Sequence, residues 1–312
     1  MFYRITLSNY IIILGEYFMN KLKMALMAAL ALPSLSAVAE EGKSAHHGID
    51  HNKSAHSIDY NIGLFSQYIF RGLQQTDGNP ALQGSVDYSH ESGLYAGTWF
   101  STISWARDAY SEGQNDNSNT SDTAFYDKGG RLEMDFYAGF ANEIGETGLG
   151  YDIGVLRYQY PGSKRTGATD INTTEVYAAV SYGYATLKNS WVVSDTAWGW
   201  DCASGSSSSC EGKGTTYTEL GVAFPLGDIP HLKDSAFAGI DVDLHVGRQE
   251  FEGSANEYAS YTDWKVGLSK EFLPGYTLGG FWTYANTADG GFTYAGQNVG
   301  KENLTVFLNH SF

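Results

Sequence analysis

The sequence predicts an all-β protein, specifically a transmembrane antiparallel up-and-down β-barrel of about 12 strands. Three observations point there. Apolar and charged residues alternate with period 2 in segment after segment. The connections between segments alternate between short and long. An export signal precedes an acidic, aromatic-rich chain that lacks any long apolar span.

The alternation is clearest in three places. From Gly130 to Phe140, Leu132, Met134, Phe136, Ala138 and Phe140 share one parity, and Arg131, Glu133 and Asp135 share the other. From Ala236 to Gly247, Ala238, Ile240, Val242, Leu244 and Val246 oppose Asp241, Asp243 and His245. From Tyr261 to Ser269, Thr262, Trp264, Val266 and Leu268 oppose Asp263 and Lys265. Side chains of a strand point alternately to opposite faces, so each segment has one apolar and one charged face. Such segments fall at residues 59–71, 81–89, 94–104, 130–141, 149–159, 173–183, 186–198, 215–224, 235–247, 260–269, 276–285 and 302–312. Most are close to the ~9–11 residues a tilted strand needs to cross a bilayer. The third, seventh and eleventh are more apolar on both parities, which leaves their facing open.

Connections after even-numbered segments are short: SHESG, NEIGETG, a turn at Gly183-Tyr184-Ala185, PLGDIPHLKD and KEFLPG. Those after odd-numbered segments are mostly longer and polar, above all residues 105–129 and 199–214. A membrane barrel has short periplasmic turns and long external loops. An even strand count then puts both termini in the periplasm. A soluble sandwich has no reason for such alternation.

Residues 1–39 read as a signal peptide. From Met19, Lys21 and Lys23 precede the apolar stretch Met24–Leu35 and the small-x-small motif Ala37-Val38-Ala39, with cleavage expected between Ala39 and Glu40. Residues 1–18 lie upstream of this complete signal, making Met19 the expected start. Residues 40–57 read as a flexible His-rich periplasmic tail and 58–312 as the barrel. Removing residues 1–39 takes away Arg4, Lys21, Lys23 and Glu16, leaving 16 basic and 34 acidic residues, a net charge of −18. A chain this acidic repels phosphates, so a nucleic-acid partner is not expected. The final strand alternates Leu304, Val306, Leu308, His310 and Phe312 and ends on that aromatic, as does the signal read by the barrel assembly machinery.

The stretch Ser66–Trp99 carries a family resemblance. Its motifs are Tyr68-x-Phe70-Arg71-Gly72, Gln75-Thr76-Asp77, Pro80-Ala81-x-Gln83-Gly84, Asp87-Tyr88 and Gly93-x-Tyr95-x-Gly97-x-Trp99. They resemble the N-terminal signature of the TorF-like porins, the Gcw_chp family of bacterial outer-membrane proteins. The strongest match covers roughly the first two strands and their flanks, and the general plan covers the mature chain. The resemblance implies an outer-membrane barrel of the Gram-negative envelope with porin activity. It does not imply a particular solute.

If the apolar parity faces lipid, the lumen receives Gln67, Arg71, Gln83, Asp87, Arg131, Glu133, Asp135, Asp152, Glu175, Glu219, Asp241, Asp243, His245, Asp263 and Lys265. Carboxylates dominate this set, and rings of charge in a narrow aqueous pore set ion preference. The expectation is a passive path for small polar solutes, favouring cations and neutral molecules. The alternative is a lumen sealed by paired side chains, in a barrel serving adhesion or envelope structure through its loops. Arg71 is expected to point inward, either pairing with Asp87, Glu133 or Asp135 or capping the mouth.

Cys202 and Cys210 flank a flexible Ser-rich run and most simply form a disulfide in this exported chain. His46, His47, His51 and His56 could attract a transition metal, but nothing completes a site, so a solvated tail is the default. Gly113–Asp122 is rich in oxygen ligands without the spacing of a calcium loop, and reads as a surface loop. No cofactor is expected. The sequence contains no convincing Ser and His set facing lipid, no phosphate loop and no zinc-binding helix motif. A lipid hydrolase is therefore only the second alternative, and no enzymatic activity is expected.

Overall fold

In the computed structural model, described for residues 55–108, 125–200, 212–253, 256–294 and 297–312, twelve strands close into one antiparallel barrel. They are β1 (His56–Phe65), β2 (Ala81–His90), β3 (Leu94–Thr102), β4 (Leu132–Glu143), β5 (Leu149–Gln159), β6 (Thr173–Tyr182), β7 (Ala185–Val192), β8 (Thr216–Pro225), β9 (Asp241–Glu250), β10 (Tyr261–Leu273), β11 (Tyr276–Ala285) and β12 (Asn303–Ser311). Sequential neighbours pair throughout, and β1 closes the ring on β12 through registers such as Asn61 opposite Ser311 and Phe65 opposite Phe307. Closure leaves no unpaired edge.

The two parities separate as the alternation predicts. Outward side chains are large and apolar on strand after strand: Leu64, Phe136, Ile153, Leu268, Leu278 and Leu304 are all exposed. The inward neighbours Thr305, Phe307 and Asn309 on β12 are buried. An apolar exterior around a closed barrel that satisfies its own backbone bonds suits a bilayer, where every backbone polar group must find an internal partner. β1 begins and β12 ends at the rim that carries the short turns; the opposite rim, with the long connections, is here called the mouth.

Three strand ends differ from the sequence expectation. β1 stops at Phe65, not near Arg71. Ser66 N–H still bonds to Val306 O at 2.8 Å, and the chain then folds into the barrel. β7 ends at Val192, and Ala197 instead bridges Trp200 within the following loop. β9 begins at Asp241, because the N–H groups of Ser235, Ala238 and Ile240 bond back to Leu232, Ser235 and Phe237 in successive tight turns. The connection after β8 is therefore the longest on the short-turn rim. At the other end of the chain, His56, expected in the flexible tail, is the first residue of β1, with Nδ1 2.8 Å from the Tyr88 hydroxyl.

Interior space is shared between aromatic rings and glycines. A Cβ at Gly97 would lie 2.5 Å from the Tyr137 ring, and one at Gly247 would overlap the Tyr217 ring. These glycines leave room on one strand for an inward tyrosine from its neighbour, so large rings can lie across a narrow barrel.

Candidate functional site

The segment between β1 and β2 lies inside the barrel at its mouth. Ile69–Phe70 and Leu73–Gln74 form a miniature hairpin whose two turn residues, Arg71 and Gly72, have φ of 47° and 76°. A two-residue hairpin turn with both φ values positive matches the right-handed twist of its strands, and glycine is the natural occupant. Further bonds hold the segment in place. Gln75 N–H reaches Tyr68 O at 2.8 Å, Gln74 N–H reaches Val299 O at 3.0 Å, and Ser104 N–H reaches Gln75 O at 2.9 Å. The connection after the first segment, expected on the external side, thus folds back into the barrel.

Arg71 extends from this turn across the lumen, and none of its expected partners is the one it meets. Its Nη1 and Nη2 donate to Glu175 Oε1 and Oε2 at 2.9 and 2.8 Å, a bidentate fork, and Nη1 also donates to Gln249 Oε1 at 3.0 Å. The guanidinium carbon lies 4.1 Å from the Tyr217 ring centroid, 4.9 Å from Phe70 and 5.1 Å from Trp198. Tyr158 Oη donates to Glu175 Oε2 at 3.1 Å, and Gln249 Nε2 donates to Thr216 O at 2.9 Å, which fixes both acceptors. The side chains of Arg71 and Glu175 are each 1% exposed. Charge, fork geometry and aromatic faces combine here in a site closed to water.

The other predicted residues fall into three groups. Around the mouth layer, Glu133 accepts from Tyr68 Oη at 2.9 Å, and both Asp135 carboxylate oxygens are buried with no hydrogen-bond partner among the described residues. Burial first, then the Glu133 and Asp135 carboxylates, hold the hydroxyls of Tyr68 and Tyr160 well above the usual phenol range, so they remain donors. Asp263 accepts from Tyr217 Oη at 2.9 Å and lies 3.0 Å from His245 Nε2, while His245 Nδ1 is 3.5 Å from Glu219.

Level with Glu133, Gln83 Nε2 donates to Ser101 Oγ at 3.3 Å, and deeper in the barrel Asp152 accepts from Tyr95 Oη at 2.6 Å. Asp87, proposed for Arg71, accepts instead from the hydroxyls of Tyr137 and Ser85. Asp243 pairs with Lys265, whose ammonium sits 5.0 Å from the Phe281 ring. Gln67 lies at the mouth and donates to Leu304 O at 3.2 Å.

Two predicted lumen residues are not enclosed by the wall. Arg131 precedes β4 and is exposed, lining a mouth cleft of about 330 Å³ with Thr76, Asp77 and Asn79. Asp241, first in β9, is exposed at the short-turn rim. Phe312 is 70% exposed beside His310, with its N–H on Tyr60 O at 2.9 Å. Cys202, Cys210, Ala39, Glu40, His46, His47 and His51 lie outside the described residues.

Sequence reasoning missed Lys188, which is 2% exposed inside the barrel with its ammonium 4.1 Å from the Tyr177 ring. Its strand also carries Asn189 on the lipid-facing parity, which blurs the alternation; the inward run Lys188, Ser190 was the available signal. The inward aromatic set, including Trp99, Tyr158, Tyr217 and Tyr261, was missed as well.

A closed twelve-strand antiparallel barrel, apolar outside and charged within, belongs to the class of membrane-spanning β-barrels. Within that class, the chain is a member of the Gcw_chp family, described as bacterial proteins of unknown function, whose profile matches residues 50–312. No curated protein sequence matches it. Among solved structures, it is similar to the KdgM porin, with 5% identity over 82% of this chain and 98% of that one and a TM-score of 0.43. It is also similar to the COG4313 outer membrane channel from Pseudomonas putida F1, with 15% identity over 88% and 99% of the two chains and a TM-score of 0.43. A third likeness, to the outer membrane protein OprD from Pseudomonas aeruginosa, has 14% identity over 82% and 65% and a TM-score of 0.34.

Proposed function

We propose that the protein is an outer-membrane passive channel for small hydrophilic solutes, with both termini in the periplasm. Cations and neutral molecules are preferred over anions, and the inward-folded segment before β2 closes the mouth. One observation carries this reading. The enclosed wall presents Asp87, Glu133, Asp135, Asp152, Glu175, Glu219, Asp243 and Asp263, while the arginine and lysine side chains inside, among the described residues, are Arg71, Lys188 and Lys265. An excess of carboxylates along an aqueous path sets its preference for cations over anions. Export through residues 1–39 and recognition of Phe312 by the assembly machinery complete the proposed route to the membrane.

A second reading has its own support. Tyr158 and Tyr217 are 0% exposed and Glu175 is 1% exposed, so the mouth layer is packed shut. On that reading the barrel is sealed and acts through its external loops. Single-channel recording in planar bilayers separates the two. The channel reading expects discrete conductance from heat-modifiable protein, and a reversal potential that shifts toward anions in Glu133→Gln/Asp135→Asn. A folded barrel with no conductance in the wild type or in any variant that frees the mouth segment leaves the sealed reading.

A further inference from the structure

We propose that the cage around the Arg71 side chain is a binding site for guanidinium compounds, which Arg71 fills as the chain's own ligand. The inference rests on the channel reading and deepens it by naming the class of solute that the mouth layer would recognise.

The argument starts from where the cage residues come from. Glu175 lies on β6, Gln249 on β9, Tyr217 on β8 and Tyr158 on β5, and Trp198 belongs to the loop after β7. All are therefore wall or loop residues rather than parts of the inserted hairpin. The hairpin contributes only Arg71 and the Phe70 ring beneath it. Withdrawing the hairpin would leave a carboxylate with both oxygens aimed into the lumen, an amide oxygen beside it, and two aromatic faces 4.1 and 5.1 Å from where the cation sat.

This set is selective for the guanidinium group. The two Glu175 oxygens match two parallel N–H donors, which a planar fork supplies and a compact ammonium cannot. Flat aromatic faces stack on a flat cation. Arg71 Nε has no hydrogen-bond partner among the described residues. Recognition thus rests on the two terminal nitrogens and leaves the substituted one unread, so any singly alkylated guanidinium fits. A solute of this class reaches the site only by displacing Arg71, which makes the tethered side chain both mimic and gatekeeper.

The test uses the full-length protein, folded in detergent and in planar bilayers, with methylguanidinium as probe and methylammonium as the matched control at equal ionic strength. In Arg71→Ala, methylguanidinium should produce a saturable change in tryptophan fluorescence at a concentration about tenfold below that needed for methylammonium. The change should vanish when Glu175→Gln or Trp198→Phe is added, and the wild type, its cage filled, should not respond. In bilayers the same probe should reduce the conductance of Arg71→Ala. Should Arg71→Ala fail to fold, Arg71→Lys serves: it keeps the charge but cannot bridge both oxygens, so methylguanidinium should still displace it, at higher concentration. A folded variant that responds equally to both probes, or to neither, overturns the inference even if it conducts. Selective fluorescence binding without any conductance keeps the cage and removes the channel reading.

Discussion

The mouth half of the barrel interior and the half nearer the short turns use the same kinds of residue in different ways. At the mouth, Arg71 and Glu175 are 1% exposed, bidentate and enclosed by rings. Lower down, Lys265 and Asp243 also pair, yet keep 22% and 24% of their side-chain surface in contact with solvent. Both pairs join strands or segments across space. Only the first was taken out of water, and it was taken out by a loop rather than by the barrel wall. The wall supplies charge along its whole height; the inserted segment dehydrates the Arg71–Glu175 pair, while wall tyrosines cover Asp152 and Lys188.

The most severe way to break the mouth layer is Arg71→Ala. It strands Glu175 as a buried, unpaired carboxylate, and removing one partner of a buried pair typically costs about 3–5 kcal/mol. The loss should appear as a lower unfolding midpoint in detergent. Adding Glu175→Gln should recover much of it, because the amide no longer needs a counter-charge. Equal midpoints for the single and double variants would mean that the ion pair does not anchor the segment.

A subtler break is Gly72→Val. The residue has φ of 76°, and a Cβ there would lie 2.6 Å from Asp263 Cβ and 3.0 Å from Ala285 Cβ. Left-handed strain and the clash together predict a loss of about 2–4 kcal/mol, concentrated in the inserted segment. Gly145→Val, at φ of 58° on a short turn with nothing within 4 Å, isolates the strain alone and should cost about 1–2 kcal/mol. Faster proteolysis of the mouth segment in Gly72→Val, but not in Gly145→Val, is the expected readout.

This pairing also explains what the sequence disclosed. The inward positions of Glu133, Asp135, Asp152 and Asp263 were legible because a strand has a strict period of two, and an ionised side chain facing lipid is costly. Parity says which face a residue occupies and nothing about what crosses the lumen to meet it. Arg71 and Glu175 are 104 positions apart and on no shared register, so their contact depends on a loop turning inward. The signal for that turn was local: Arg71-Gly72 between Ile69-Phe70 and Leu73-Gln74 is a two-residue hairpin pattern, masked by the alternation that runs on through it. The 37 glycines and 22 tyrosines are plain in the composition, but their physical meaning, rings lying over glycines of the next strand, needs the register.

The mildest prediction tests the other side of the comparison. Lys265→Gln removes the cation from the half-exposed pair, leaving Asp243 partly hydrated rather than stranded. Solvent already screens this pair, so the stability change should be within about 1 kcal/mol, far below that of Arg71→Ala. Its electrical effect should be larger than its energetic one. Taking one positive charge from a lower wall that also carries Asp87, Asp152 and Asp243 makes the lower lumen more acidic, so the reversal potential in a salt gradient should move further toward cations. The measurement is best made in a background whose mouth is freed, so that the lower half limits the current. A large stability loss with no change in selectivity would mean that Lys265 is locked structurally, like Arg71, and the contrast between the two halves would fail.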